Sequence, residues 1–141
     1  GAQLIADVLG AKVYKNKYKE IGWYPVSLTK DAKSSKVFSG FKDRFIAFHW
    51  HGDTFDIPTG AKRITETEAC ENQAFEYKEK VFGLQFHLES THKSIKLLAE
   101  NCARELVKDK YIQRKEELLS NPAYLKEIEK GMIVMLDRIT F

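Results

Sequence analysis

Proline and glycine are scarce, at 3 and 8 of 141 residues. That excludes collagen-like and low-complexity chains, which depend on one or both. Cysteine occurs only twice, as Cys70 and Cys102, and a chain of this length can build a hydrophobic core without a disulfide. Two buried thiols in a reducing cytoplasm are therefore expected. No apolar run approaches the ~18 residues that cross a bilayer, and the first residues lack the basic-then-apolar pattern of a secretory leader. An excess of one charge sign is missing too: 23 Lys and Arg against 20 Asp and Glu leave a formal net charge of +3. So small a balance gives no electrostatic case for nucleic-acid or membrane partners. What is present, 43% hydrophobic and 30% charged residues, is the make-up of a globular chain of one domain.

The order of elements follows from periodicity. Leu4, Ile5, Val8 and Leu9 recur at helical spacing and Gly10 supplies a stop, so a short helix is expected first. Lys12-Val13-Tyr14-Lys15 begins a strand whose lysines at 12, 15, 17 and 19 suit an exposed edge. Ile21 to Leu28 is a second strand, where Pro25 implies an edge or a bulge. Residues 29–40 are polar and read as a flexible loop. Phe45 to Trp50 is nearly continuous in apolar residues, as for a strand buried on both faces. A turn at Ile57-Pro58-Thr59-Gly60 precedes strand-like pieces at Ile64 to Ala69, Ala74 to Tyr77 and Val81 to His87. Thr91 suits the N-cap of a helix with Ile95, Leu98, Cys102 and Leu106 on one face. Asn121-Pro122 opens a last helix with Leu125, Ile128, Met132, Met135, Leu136 and Ile139 as its apolar face. Strands that scarcely alternate need cover on both faces, so the fold expected is α/β, a sheet between helices.

Unusual residues concentrate in His49-Trp50-His51-Gly52-Asp53-Thr54 and Phe86-His87-Leu88-Glu89-Ser90-Thr91. Each stands at the end of an expected buried strand, where open α/β sheets bind ligands. Positions i and i+2 of a strand share a face, so Glu89 can hold the imidazole of His87 and raise the basicity of its free nitrogen. That makes a base and its orienter, which still need a nucleophile. The plainer reading is a histidine satisfied beside a surface glutamate. His49, His51 and Asp53 also share a face and with His87 offer donors for zinc or iron, although His-x-His without CxxC or HExxH is a weak metal signature and His51-Gly52-Asp53 also reads as a turn. Cys70 lies between acidic neighbours that raise a thiol pKa, and Cys102 belongs to an apolar helix face. From residue chemistry alone no nucleophile is convincing.

These motifs together resemble the class I, triad-type glutamine amidotransferases, most closely stand-alone domains similar to the amidotransferase part of GMP synthase. Gly1-Ala2-Gln3-Leu4 with Leu9-Gly10-Ala11 is similar to the segment just after that family's nucleophile. His49-Trp50-His51-Gly52-Asp53-Thr54-Phe55 resembles its glutamine-pocket loop, Cys70-Glu71-Asn72-Gln73-Ala74-Phe75 a strand pair, and Gly83-Leu84-Gln85-Phe86-His87-Leu88-Glu89 its His-x-Glu motif. The matches run in order over about residues 1–91.

The resemblance implies a three-layer, flavodoxin-like fold with a mixed sheet and C-terminal helices, of which residues 1–141 are the C-terminal part. It implies hydrolysis of L-glutamine to glutamate and ammonia through a Cys-His-Glu triad. His87 would be the base, Glu89 its orienter, Gln3 a substrate-holding residue, and Trp50, His51, Gly52 and Asp53 the loop whose backbone lines the pocket. No metal and no cofactor is implied. The cysteine would stand two residues ahead of Gly1, so the chain by itself is expected to be inactive and to need the rest of its domain. A γ-glutamyl hydrolase with the same triad, or a non-catalytic glutamine-binding or regulatory module, fits the same residues. No Gly-rich phosphate loop follows Glu89, so an ammonia-accepting synthase would be another domain or subunit.

Overall fold

The computed structural model describes residues 1–139. The first helix, α1 (Ala2–Val8), ends at Gly10, whose positive φ of 82° turns the chain into the sheet. Five strands follow: β1 (Val13–Leu28), β2 (Arg44–Phe55), β3 (Ala61–Glu66), β4 (Ala74–Tyr77) and β5 (Val81–Leu84). They form one sheet in the order β2-β1-β3-β4-β5, with every neighbouring pair antiparallel. The expected mixture of directions is reduced among the described residues to one parallel bridge, Ile21 to Ile112. Three α-helices follow among the described residues: α2 (His92–Asn101), α3 (Lys115–Leu119) and α4 (Pro122–Ile139).

The architecture is α/β, with helices packed on both faces of the sheet. Adjacent residues of a strand point to opposite faces, and β4 shows the division. Ala74 joins the large core that contains Phe48, Phe86, Ile95, Leu118 and Ile128. Phe75 joins a smaller cluster with Phe55 and with Ala2 and Ala6 of α1. Thr91 caps α2 by accepting from the Ser94 amide, and Ser94 returns the bond to the Thr91 amide. The last helix begins at Pro122 as expected and buries Ile128 and Met135, whereas Leu136, assigned to its apolar face, is 55% exposed.

Two expected strands, one before and one after Glu20, are a single strand. β1 runs through both, and an irregularity between Lys15 and Glu20 absorbs the lysine-rich stretch. Pro25 is tolerated because β1 at that point pairs only with β2, its contact with β3 being confined to Ser27 and Leu28. Gly22, at φ 136°, leaves room for the side chain of Gln113, which a Cβ there would overlap. Gln113 accepts from the Trp23 amide and donates to the Trp23 carbonyl, tying the segment before α3 onto β1.

Residues 29–40 are more ordered than their polar composition implies. They form two short 3₁₀ turns, Lys30–Ser34 and Phe38–Gly40, and bury Ala32, Ser35, Val37 and Phe38. Burying Val37 and Phe38 contributes roughly 1.5–3 kcal/mol each, which offsets part of the ordering entropy of about 1–2 kcal/mol per residue. Three buried apolar residues, Ala32, Val37 and Phe38, among lysines and serines leave a weak sequence signal.

Candidate functional site

The chain leaves β5 and makes one antiparallel bridge to β2, in which the His87 amide donates to the Phe48 carbonyl at 2.8 Å. That bond fixes the backbone just ahead of Glu89. The His87 Nδ1 lies 2.6 Å from Oε1 of Glu89, and the imidazole is 35% exposed. Donation from His87 holds the Glu89 carboxyl below the usual carboxylate range, against the opposing effect of burial. With Nδ1 committed to Glu89, a neutral ring keeps its lone pair on Nε2.

The segment His49-Trp50-His51-Gly52-Asp53-Thr54 does not end a strand or form a turn. It lies within β2, which continues to Phe55 in register with β1, His51 opposite Glu20 and Asp53 opposite Lys15. Alternation sends Phe48, Trp50 and Gly52 to one face and His49, His51 and Asp53 to the other. Phe48 stands 6.3 Å from the His87 ring, centroid to centroid, so Trp50 and Gly52 share the face of the His–Glu pair. The Trp50 indole N–H donates to Glu105 at 3.4 Å, and Glu105 also pairs with Lys19 at 2.9 Å. A Cβ on Gly52 would approach Cγ of Lys19 to 3.0 Å.

On the other face His51 enters a buried polar chain. Its Nε2 lies 2.8 Å from Oε2 of Glu20, and its Nδ1 lies 3.1 Å from the Asp53 carbonyl. Thr67 and Gln73 also donate to Glu20. Gln85 donates to the Asp53 carbonyl at 2.5 Å, and Gln3 of α1 reaches that oxygen at 3.5 Å and Gln85 Oε1 at 3.3 Å. Gln3, His51 and Asp53 are thus brought together, with Asp53 contributing its backbone.

The histidine-rich face assembles donors for a cation in a different set from that expected. Ligand atoms of Glu20, His49 and His51 lie within 4.8 Å of one another; Asp53 and His87 are not members. Glu20 already accepts from His51, Thr67 and Gln73, so internal donors occupy its oxygens. His49 is fully buried with neither ring nitrogen partnered, and burial lowers its pKa to about 3. Cys70 is buried and donates to the Asn72 carbonyl. Burial first, and then Glu20 and Glu71, push its thiol pKa up. Cys102 is only partly buried, and both thiols are free.

A sequence profile of the class-I glutamine amidotransferases matches residues 1–106. The chain belongs to that family. Among its relatives is the glutamine amidotransferase-like protein YfeJ of Salmonella typhimurium, 34% identical over 106 residues, which are 75% of this chain and 44% of YfeJ. One subunit of the glutamine-hydrolysing GMP synthase of Thermoplasma volcanium is 34% identical over 126 residues, 86% of this chain and 57% of that one. A crystal structure of a glutamine amidotransferase from Thermotoga maritima superposes with a TM-score of 0.85 at 39% identity, covering 99% of this chain and 59% of that one. A glutamine amidotransferase from Methylobacillus flagellatus reaches 0.90 at 26% identity with the same coverage. The chain therefore spans about half the length of these relatives.

Within this class-I amidotransferase chain, residue chemistry alone overlooked Glu20, Thr67, Gln73 and Gln85 as parts of the polar chain. Gln85 carried a signal, since Gln85, His87 and Glu89 are spaced by two. Glu20 carried none, because only the register of β1 on β2 brings it to His51. No helix among the described residues is long and apolar enough to cross a membrane.

Proposed function

We propose that this chain supplies the base, its orienter and most of the substrate pocket of a glutamine amidotransferase. The full-length protein then hydrolyses L-glutamine to glutamate and ammonia. The observation that carries this reading is the 2.6 Å contact between His87 Nδ1 and Glu89 Oε1 in a chain of this family. It leaves Nε2 to take a thiol proton and return it to the departing ammonia. The thiol that gives up this proton belongs to the nucleophile of the full-length protein. Cys70 is unsuited to the role, since burial disfavours its thiolate.

Gln3, Trp50, Gly52 and the backbone about His51 and Asp53 hold the substrate. Ammonia passes to an acceptor on a separate domain or polypeptide, a reading supported by the likeness to one component of a GMP synthase.

The test is ammonia release by the full-length protein with glutamine and with γ-glutamyl peptides as substrates. Turnover of glutamine that falls by about 100-fold or more in His87→Ala, at nearly unchanged glutamine binding, is the expected result. Preference for γ-glutamyl peptides would replace it with a hydrolase. Glutamine binding without ammonia release would replace it with a binding module.

A further inference from the structure

Lys19 and Glu20 are adjacent in β1 and serve opposite faces of one stretch of β2. Glu20 turns to His51. The Lys19 stem lies across Gly52, where a Cβ would stand 3.0 Å from its Cγ and 3.2 Å from its Cε, and that is the face of Trp50 and His87. The register explains the placement. Lys15 pairs with Asp53 and Glu20 with His51, so Asn16, Lys17, Tyr18 and Lys19 bulge out against Gly52 alone. Bulges re-aim side chains and are over-represented next to active sites. Asn16 fixes this one by donating to the Tyr18 carbonyl at 2.9 Å and to the Ala69 carbonyl at 2.8 Å.

Lys19 Nζ ends 2.9 Å from Oε2 of Glu105, whose Oε1 accepts from the Trp50 indole at 3.4 Å. Donation from Lys19, opposed by burial and helped by Trp50, holds the Glu105 carboxyl below the usual carboxylate range. An ammonium from β1 and a carboxylate from the 3₁₀ turn Ala103–Glu105 after α2 thus stand together on the pocket face. Their side chains are 48% and 40% exposed, and an ion pair so open to solvent contributes little to stability. L-Glutamine carries the complementary charges, an α-carboxylate and an α-ammonium on one carbon. Same-face neighbours of a strand are about 6.4–6.8 Å apart, so Gly52 stands two such steps from Phe48, beside which the His87 ring lies. An extended glutamine with the attacking sulfur at its amide carbon spans roughly that separation.

We propose that Lys19 and Glu105 form the subsite for the charged end of the substrate, Lys19 Nζ binding the α-carboxylate and Glu105 the α-ammonium of L-glutamine. The subsite rests on the function proposed above. Binding exchanges one half-exposed ion pair for two, so neither protein charge is left without a partner. Free glutamine and γ-glutamyl peptides both present the two charges. A glutamine inside a peptide chain has lost both to amide bonds and is excluded.

The test sets two variants of the full-length protein against two analogues. One is 4-aminobutanamide, glutamine without its α-carboxylate; the other is 4-carbamoylbutanoate, glutamine without its α-ammonium. Each is followed by turnover or, where unreactive, by competition with L-glutamine. Lys19→Met should lower kcat/KM for L-glutamine by about tenfold or more and change the affinity for 4-aminobutanamide by less than about twofold. Glu105→Gln should weaken L-glutamine similarly and spare 4-carbamoylbutanoate. A pair that only shaped the pocket would weaken every ligand alike. Variants that keep L-glutamine within about twofold of wild type overturn the subsite, as do variants that weaken the matching analogue as much as L-glutamine. A wild type that does not distinguish L-glutamine from the analogues overturns it too. Should Glu105→Gln not fold, Lys19→Met decides. A wild type that binds L-glutamine without releasing ammonia sinks the proposed function, and calorimetry of the same ligands then decides the subsite alone.

Discussion

Nδ1 of His87 lies 2.6 Å from Oε1 of Glu89, two residues further along a segment that bends on either side of the His87 bridge. A carboxylate in that position orients the ring and stabilises the imidazolium that forms when a thiol is deprotonated. Glu89→Gln keeps the shape and removes the charge. It should lower kcat by about 10²–10⁴ while leaving KM for glutamine within a few-fold. Steady-state kinetics on the full-length protein checks this, and unaffected kcat would remove Glu89 from the site.

His49 makes stability depend on pH. Burial takes its pKa from 6.5 to about 3, so between those values the unfolded chain binds a proton that the folded chain does not. Stability is therefore complete above about pH 6.5 and falls as pH drops, with a limiting slope near 1.4 kcal/mol per pH unit from this one group. His49→Phe removes the titration together with two unpartnered buried nitrogens. It should be at least as stable at pH 7 and show a shallower loss towards pH 4. Urea unfolding of both proteins from pH 8 to 4 measures the difference; parallel curves would show that His49 is not the group responsible.

Gly22→Ala should destabilise the protein by about 1–3 kcal/mol. The backbone there has φ 136°, and the new Cβ would collide with Oε1 of Gln113. Removing the obstructing side chain as well, in Gly22→Ala/Gln113→Ala, should not restore stability, because the backbone strain persists and the bonds to Trp23 are lost. Recovery to wild-type stability in the double variant would assign the whole effect to the clash.

Cys70 is 2% exposed, and burial raises its thiol pKa. In the native protein it should react with a thiol reagent much more slowly than the partly exposed Cys102, and both should react fully in denaturant. Cys70→Ala should keep glutaminase turnover within a few-fold. Loss of turnover with retained folding would restore Cys70 as a nucleophile.

What could be read without coordinates was what lies close together in the chain. The N-cap at Thr91, the start of α4 at Pro122, the stop at Gly10 and strand β4 at Ala74–Tyr77 all depend on a few adjacent residues. The contact of His87 with Glu89 was expected from their spacing of two, and it forms although the strand expected to run to His87 stops at Leu84 and the chain bends around His87. Long-range packing escaped: the burial of Val37 and Phe38 inside a polar stretch, the fusion of two expected strands into β1, and the exposure of Leu136.

By itself, then, the sequence determined the α/β class, the family and the motifs in which candidate chemistry resides, because each is a local pattern of residue types. Only the tertiary structure decided how β2 sits on β1. That register places Trp50 on the face of His87 and turns His51 to Glu20. Strand pairing joins residues distant in the chain, and a one-residue slip would exchange the two faces. The hydrogen-bond surroundings of His51 are therefore a product of the fold.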